Sequence, residues 1–378
     1  MSASELFQLL RDGEPHTRAE LAERAGLARS TVGLRVDELT ALGLISPIGE
    51  AASSGGRPPS QFALNPTSRL VLGVDCGASH QSVVIGDLGT GILASDIQSR
   101  PISDGPEAVL GHVVETARAL LAGLGRSFDD VIAAGIGLPG PVEHATGRPV
   151  QPPIMPGWDG FDVPGWFFTQ LGIPALVDND VNLMAIGERT LAFPPVSDLL
   201  FVKVATGIGS GIISGGQLQR GAQGTAGDLG HVRVARGDGV VCECGNVGCL
   251  EALASGPAIA RSIGAASSAE VLARVREGDP AALAAVQQAG RDIGEVLTTC
   301  VSLINPSVIV IGGSMAGAGD YLSAGIHDVV YARSMPIATS SLSIVLSTAR
   351  DRAGVIGAVV LARDYALSPA AVEALLAG

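Results

Sequence analysis

The residues best suited to chemistry crowd into one stretch, Gly227 to Glu251, which holds His231, Cys242, Cys244 and Cys249. Imidazole nitrogen and thiolate sulfur close a tetrahedral Zn²⁺, and four such ligands leave no position for water, so the site they make is structural. Gly245 and Gly248 lie between Cys244 and Cys249, where the chain must bend tightly for the thiolates to converge. The chain has five cysteines, and three of them fall in the eight residues from Cys242 to Cys249. The close pair is CxC, not the CxxC of a redox motif, and the alternative is a reduced loop without metal.

Two glycine turns offer a second chemistry. Phosphate groups are held by backbone N–H groups in tight concave turns, which glycine permits. Gly77 lies in one such turn, and Gly207, Gly209 and Gly211 lie in another, where Thr206 adds a hydroxyl. Ser79 supplies a hydroxyl to the first turn, and Asp75 could hold Mg²⁺ directly or through water. Glycines that only shape the turns are the alternative. In LVDNDVNLMAIGE a strand is predicted to end at Val177 and a helix to begin near Asp180, so Asp178, Asn179 and Asp180 sit at a strand tip, where α/β sheets meet ligands. Phosphoryl transfer to a hydroxyl needs a carboxylate to receive the proton. An aspartate, or equally Asn179, that only caps the helix is the alternative. Trp158 is expected to pack at a domain seam.

These groups need elements to position them. At the amino terminus Leu6, Leu9 and Leu10 take helical spacing, and a second helix is predicted from about Arg18 to Ala25, capped by Thr17 with Glu20 three residues on. After Gly26 a third helix puts Val32, Val36 and Leu39 on one face and Arg29, Ser30, Thr31 and Arg35 elsewhere. Two helices around a glycine turn make a helix-turn-helix candidate, whose second helix enters the major groove. LISPIG and SQFALNP then read as a β-hairpin wing, with Gly56-Arg57-Pro58 at its tip extended so that Arg57 can enter a minor groove. A helical packing or dimerisation module is the alternative for residues 1–65, and a solvated loop residue for Arg57.

From Arg69 the pattern changes. LVLGVDCGASHQSVVIGD and GILASDIQ read as strand, glycine turn, strand, turn, strand, followed by a helix from Pro106 to Leu121 and the strand VIAAGIGLPGPV. LLFVKVATGIGSGIISGGQLQ repeats the glycine hairpin about 130 residues on, which suggests a duplicated α/β unit. A helix over 281–304, the strand VIVIGG, a strand from Leu342 to Leu346 and a closing helix over 353–363 are expected to complete the second half.

The net charge of −13 excludes a chain that coats nucleic acid over its whole surface. Residues 1–69 hold seven arginines against eight acids, a net of −1, so the other −12 lies beyond them and any DNA contact is local. The start MSASELFQLLRDG has an acid at position 5 and too short an apolar run for a signal peptide. Val355 to Ala362 falls far short of the roughly 20 apolar residues that cross a bilayer. A cytoplasmic protein with no membrane partner is expected, its thiols free for metal.

The opening stretch resembles the zinc signature of the ROK family, named for repressor, open reading frame and kinase. That signature is an acidic residue, x, Gly-His, then CxCGxxGCxE, matched by Asp228, Gly230, His231, Cys242, Cys244, Gly245, Gly248, Cys249 and Glu251. The resemblance spans nearly the whole chain. It implies a sugar bound by Asn179, Asp228, His231 and Glu251 with a backbone contact at Gly137, Asp180 as catalytic base, and Gly312 and Gly313 as an adenosine-contacting loop. It also implies that His231 puts one ring nitrogen on zinc and the other on a sugar hydroxyl. Two departures stand out. The family's kinases usually carry DxGGTK in the first turn, where this chain has Asp75-Cys76-Gly77-Ala78-Ser79-His80. Ala78 hinders phosphate approach, and His80, in place of lysine, is expected to be mostly neutral at pH 7. Position 228 carries aspartate where glutamate is common.

The fold class that follows is α/β: a winged helix-turn-helix over 1–66, then an actin-like, ribonuclease H-like ATPase (sugar kinase) fold with halves 67–192 and 193–378, the second holding structural Zn²⁺. The function that follows is a sugar-responsive, DNA-binding transcriptional regulator of carbohydrate metabolism, in the manner of a repressor. Its partners are operator DNA and a small sugar, and it is a homodimer or homotetramer. The other reading is an ATP-dependent, glucokinase-like sugar kinase that also binds DNA, and only then are ATP and Mg²⁺ cofactors. A phosphorylated sugar would need extra basic residues in the pocket, and none is evident from sequence.

Overall fold

Strand Leu70–Cys76 is buried at every position, as a strand covered on both faces must be. In the computed structural model, which describes residues 1–11, 13–50 and 59–377, it is the middle of a five-stranded sheet. On one side it pairs antiparallel with Gln81–Asp87, which pairs antiparallel with Ile92–Gln98. On the other it pairs parallel with Val131–Leu138, beyond which Ala175–Asn179 forms the edge. A second five-stranded sheet repeats this order around Leu199–Val204. Ile208–Ser214 and Gln217–Gln219 lie antiparallel on one side, and Val308–Gly312 and Ser343–Leu346 parallel on the other. One topology is thus used twice.

Each sheet has its own core. Helix Pro106–Gly123 packs on the first, together with Trp158, which is fully buried and donates its indole N–H to the Ile102 carbonyl at 3.1 Å. Trp158 therefore belongs to the first core and not to a seam, because its one polar atom finds a partner there. Helices Pro280–Ile304 and Asp320–Arg333 pack on the second. The closing helix, Ala353–Ala366, departs from expectation: it lies on the first sheet and on helix Asp180–Ala192. Gly135 makes this possible, since a Cβ there would sit 2.0 Å from the Ala358 carbonyl oxygen.

At the amino terminus, helices Ala3–Phe7, Arg18–Ala25 and Arg29–Ala41 precede the antiparallel pair Ile45–Glu50 and Ser60–Leu64, which His16–Thr17 extends. Thr17 and Glu20 form the reciprocal cap, and Gly26 ends its helix in the left-handed region at φ +66°. Val32, Val36 and Leu39 are buried. Arg57 lies outside the described residues.

The head's core does not close on itself. Leu6, Phe7 and Leu10 share one apolar cluster with Val355, Val359, Ala366, Leu367 and Val372. Gln8 Nε2 donates to the Leu367 carbonyl at 3.0 Å, Arg11 pairs with Asp364 at 2.9 Å, and Ser4 Oγ donates to Glu373 at 2.6 Å. Glu373 lies on helix Pro369–Ala377, which the sequence periodicity does not single out. Among the described residues no single helix is long and apolar enough to cross a membrane.

Candidate functional site

A cleft of about 950 Å³ takes residues from the strand ends of both sheets and from the His/Cys stretch. Gly227, at φ +98°, seats that stretch against the second sheet: a Cβ there would lie 2.1 Å from the Ser210 carbonyl oxygen. Ser210 locks the contact, its N–H and hydroxyl both donating to the Gly227 carbonyl, at 2.8 and 2.9 Å. Asp228 is thereby set exposed at the cleft wall, and His231 lies between the cleft and the thiols.

One ligand atom each from His231, Cys242, Cys244 and Cys249 lies within 4.8 Å of every other. Cys242 Sγ is 3.8 Å from His231 Nδ1, and the sulfurs of Cys244 and Cys249 are 3.7 Å apart. Tetrahedral zinc with Zn–S near 2.3 Å places ligand atoms about 3.6–3.8 Å apart, so the geometry fits. The donor chemistry agrees. Burial, then the neighbouring thiols of Cys244 and Cys242, push the Cys249 thiol up to about 12, a cost that a coordinated cation would offset. With Nδ1 on the sulfur side, Nε2 of His231 is the nitrogen left for the cleft.

Glu251 lies in the first turn of the short helix Leu250–Ala254. Its N–H donates to the Gly230 carbonyl at 2.8 Å, while its carboxylate accepts the Ile208 N–H at 2.9 Å. Opposite, Asn179 caps helix Asp180–Ala192: its Oδ1 accepts the Val181 N–H at 3.0 Å and its Nδ2 donates to the Gly140 carbonyl at 3.0 Å. Capping and a place in the cleft are combined in one amide, with a lone pair and an N–H to spare. Gly137 does not line the cleft. It lies beneath, where a Cβ would meet Leu183 at 3.0 Å and Asp75 Oδ1 at 3.4 Å, and Gly140 lines the cleft instead.

Asp180 is buried, with Lys203 Nζ 2.5 Å from its Oδ2. Burial pushes its carboxyl up from the usual range, and Lys203 pulls it back. Burial would lower the Lys203 ammonium, yet Asp180, with Asp75 behind it, holds it above its ordinary value. Asp178 takes Arg220 at 2.7 Å and Asn182 at 2.7 Å. The expectation of no basic group in the pocket is therefore corrected by Lys203. A signal was available: one lysine in the otherwise apolar strand LLFVKV, where a buried ammonium needs a partner.

The phosphate turns are brought to the cleft but are already engaged. Gly77 donates its N–H to the His80 carbonyl at 2.9 Å, and the His80 ring covers it, so that a Cβ on Gly77 would lie 2.0 Å from Cε1. His80 Nε2 is 3.8 Å from Asp75 Oδ2, and Asp75 raises the imidazole above its usual range while burial and Lys203 oppose it. Ser79, Thr206, Gly207, Gly209, Gly312 and Gly313 all line the cleft. Gly211 instead admits helix Asp180–Ala192, a Cβ there falling 2.6 Å from that of Ala185. A nucleotide with Mg²⁺ does not fit this arrangement, since Asp180 carries the Lys203 ammonium, the His80 ring stands beside Asp75, and the N–H groups of Gly77 and Ile208 have internal acceptors.

Away from the cleft, Arg29 and Ser30 are exposed and Thr31 half-buried at the start of helix Arg29–Ala41, and Arg35 pairs with Glu38 at 3.0 Å.

Two sheets of one topology around a cleft, with a His/Cys cluster at its wall, define a protein built on a sugar-kinase-like frame. The chain belongs to the ROK family, whose model matches residues 71–365. It is 26% identical to the xylose repressor of Bacillus subtilis over 367 residues, 96% of this chain and 94% of that protein. The solved structure of a ROK family transcriptional regulator, a homolog of the E. coli MLC protein, superposes with a TM-score of 0.85 at 24% identity, covering 100% of this chain and 98% of that one. A ROK family glucokinase from Streptomyces griseus, in complex with glucose and AMPPNP, gives a TM-score of 0.65 at 27% identity over 78% of this chain and 99% of its own.

Proposed function

We propose that this chain is a sugar-responsive transcriptional repressor. The observation that carries the reading is a single helix. Ala353–Ala366 begins against Asp75 in the cleft, where a Cβ on Gly354 would lie 2.1 Å from Oδ2, and its far end shares the core of the amino-terminal head. Residues 1–66 form a winged helix-turn-helix, with Arg29, Ser30, Thr31 and Arg35 meeting the major groove and Arg57 a minor groove of operator DNA. Residues 67–192 and 193–378 form the two halves, except that helix Ala353–Ala366 serves the first.

A sugar held by Asn179, Asp180, Asp228, His231 and Glu251 draws on both halves and so binds best when they are closed. Closure moves helix Ala353–Ala366 and, with it, the head. Two copies of the chain present two heads to a palindromic site, so a small shift changes their spacing. Bound zinc supplies the positive charge that lets three thiolates and a ring nitrogen share one point, which fixes the direction of His231.

The test is a mobility shift with DNA from upstream of the protein's own gene, followed by a screen of hexoses, pentoses and N-acetyl sugars. A specific complex that one sugar dissolves is expected. Failure to bind any such DNA, or a tightly bound sugar that leaves the complex unchanged, sinks the reading.

A further inference from the structure

Among the ionisable groups that line the cleft, four lie together: Asp75 and Asp180 from the first half, Lys203 from the second, and His80 from the first glycine turn. They form two pairs, Lys203 with Asp180 at 2.5 Å and His80 with Asp75 at 3.8 Å. The first is deep, its side chains 20% and 4% exposed. We propose that Lys203, with His80 beside it, makes this a cleft that binds sugar without phosphorylating it, because the Lys203 ammonium and the His80 ring occupy the two carboxylates that a sugar hydroxyl and a metal-bound nucleotide would need.

A base must accept a proton from the hydroxyl, and the Lys203 ammonium that donates to Asp180 Oδ2 makes that carboxylate a weaker proton acceptor and holds its orientation. A divalent cation at Asp75 would have to displace His80 and then sit beside the fixed positive charge of Lys203, which raises its energy in a poorly solvated site. The nucleotide phosphates would meet a glycine turn covered by the His80 ring. Each obstacle comes from a side chain, so each is removable by substitution. The inference rests on the reading of the cleft as a sugar sensor and says why the sensor leaves its ligand intact.

The test uses the full, zinc-loaded chain and Mn²⁺ as the probe, followed by electron paramagnetic resonance with AMPPNP present, alongside sugar-dependent ADP release from ATP. Wild type should bind Mn²⁺ weakly and release no ADP above background. Lys203→Thr should tighten Mn²⁺ binding on the order of tenfold or more. Asp75→Asn in that background should reverse the gain, and Lys203→Arg, which keeps the charge, should behave as wild type. Wild type that already binds Mn²⁺ as tightly as Lys203→Thr, or a folded Lys203→Thr with no gain, overturns the proposal. So does sugar-stimulated ADP release by wild type, a result that stands even if Lys203→Thr does not fold. Operator binding measured on the same preparations separates the two readings. Its loss removes the repressor and leaves the metal result standing, whereas ADP release removes this inference whatever the DNA does.

Discussion

Gly187 faces Ala353 so closely that a Cβ on it would lie 1.9 Å from the Ala353 carbonyl oxygen. The contact is reciprocal, since a Cβ on Gly357 would lie 1.9 Å from the Leu183 carbonyl oxygen. Helices Asp180–Ala192 and Ala353–Ala366 therefore touch backbone to backbone. Just beside this contact the buried Glu188 carboxylate accepts the Ser347 hydroxyl at 2.6 Å and the Thr348 N–H at 2.8 Å, which anchors the approach to the second helix. The helix that begins at Asp180 and the helix that shares its core with the amino-terminal residues are thus packed directly on one another.

Gly187→Ala must push these helices apart, because backbone atoms cannot yield as a side chain can. Overpacking of this kind costs about 1–3 kcal/mol, read as a lower midpoint in urea unfolding. The sugar should still bind, measured by calorimetry, but should release operator DNA less completely than from wild type. A variant with wild-type release would show that the signal takes another route.

Cys244→Ser removes one of four ligands and should lower the zinc content from one equivalent per chain, measured by atomic absorption. Because His231 belongs to that knot, Glu251 closely follows it and both line the cleft, sugar affinity should fall together with thermal stability. If the variant loses zinc and keeps its sugar affinity, the metal has no part in positioning His231.

Much of this was legible because particular residues leave little choice. The capping box at Thr17 and Glu20, the apolar spacing of Val32, Val36 and Leu39, and the continuous apolar strand at Leu70–Cys76 each follow from local chemistry, and the structure has them all. The spacing of His231 with three cysteines likewise led to a cluster that can hold a metal. What was not legible is pairing at long range. Nothing near Lys203 in sequence announces Asp180, and nothing in Ala353–Ala366 tells which sheet it will cover; both depend on which backbones glycine lets approach. The resemblance implied a sugar contact at Gly137, and sequence alone does not tell that its strand pairs it with Asp75 and packs it against Leu183.

His80 gives a pH dependence with a definite sign. The Asp75 carboxylate, 3.8 Å from its ring, raises the folded value above the unfolded one, near 6.5. The stabilisation is therefore fully present below that unfolded value and is lost as pH rises through the higher folded one. The ring is half exposed, so the effect is screened and small. Thermal melts should show a larger gap between wild type and His80→Gln near about pH 6 than near about pH 8.5. A gap that widens with pH would mean that Asp75 does not hold the charged ring.

Arg29 and Arg35 share one helix but differ in what holds them. Arg35 already lies 3.0 Å from the Glu38 carboxylate on the next turn, while Arg29 is exposed at the helix start, the end that meets base edges when such a helix enters a groove. Arg29→Ala should weaken operator binding by about 1–3 kcal/mol if it reads a base, and should instead lower the salt slope by about one unit if it meets a phosphate. Arg35→Ala should cost less, because an exposed pair three residues apart gives back little when broken and the Glu38 carboxylate already offsets the charge. Titrations of both variants at several salt concentrations give the order. Equal losses, or a larger one at Arg35, would mean that the helix lies on DNA with its middle and not its first turn.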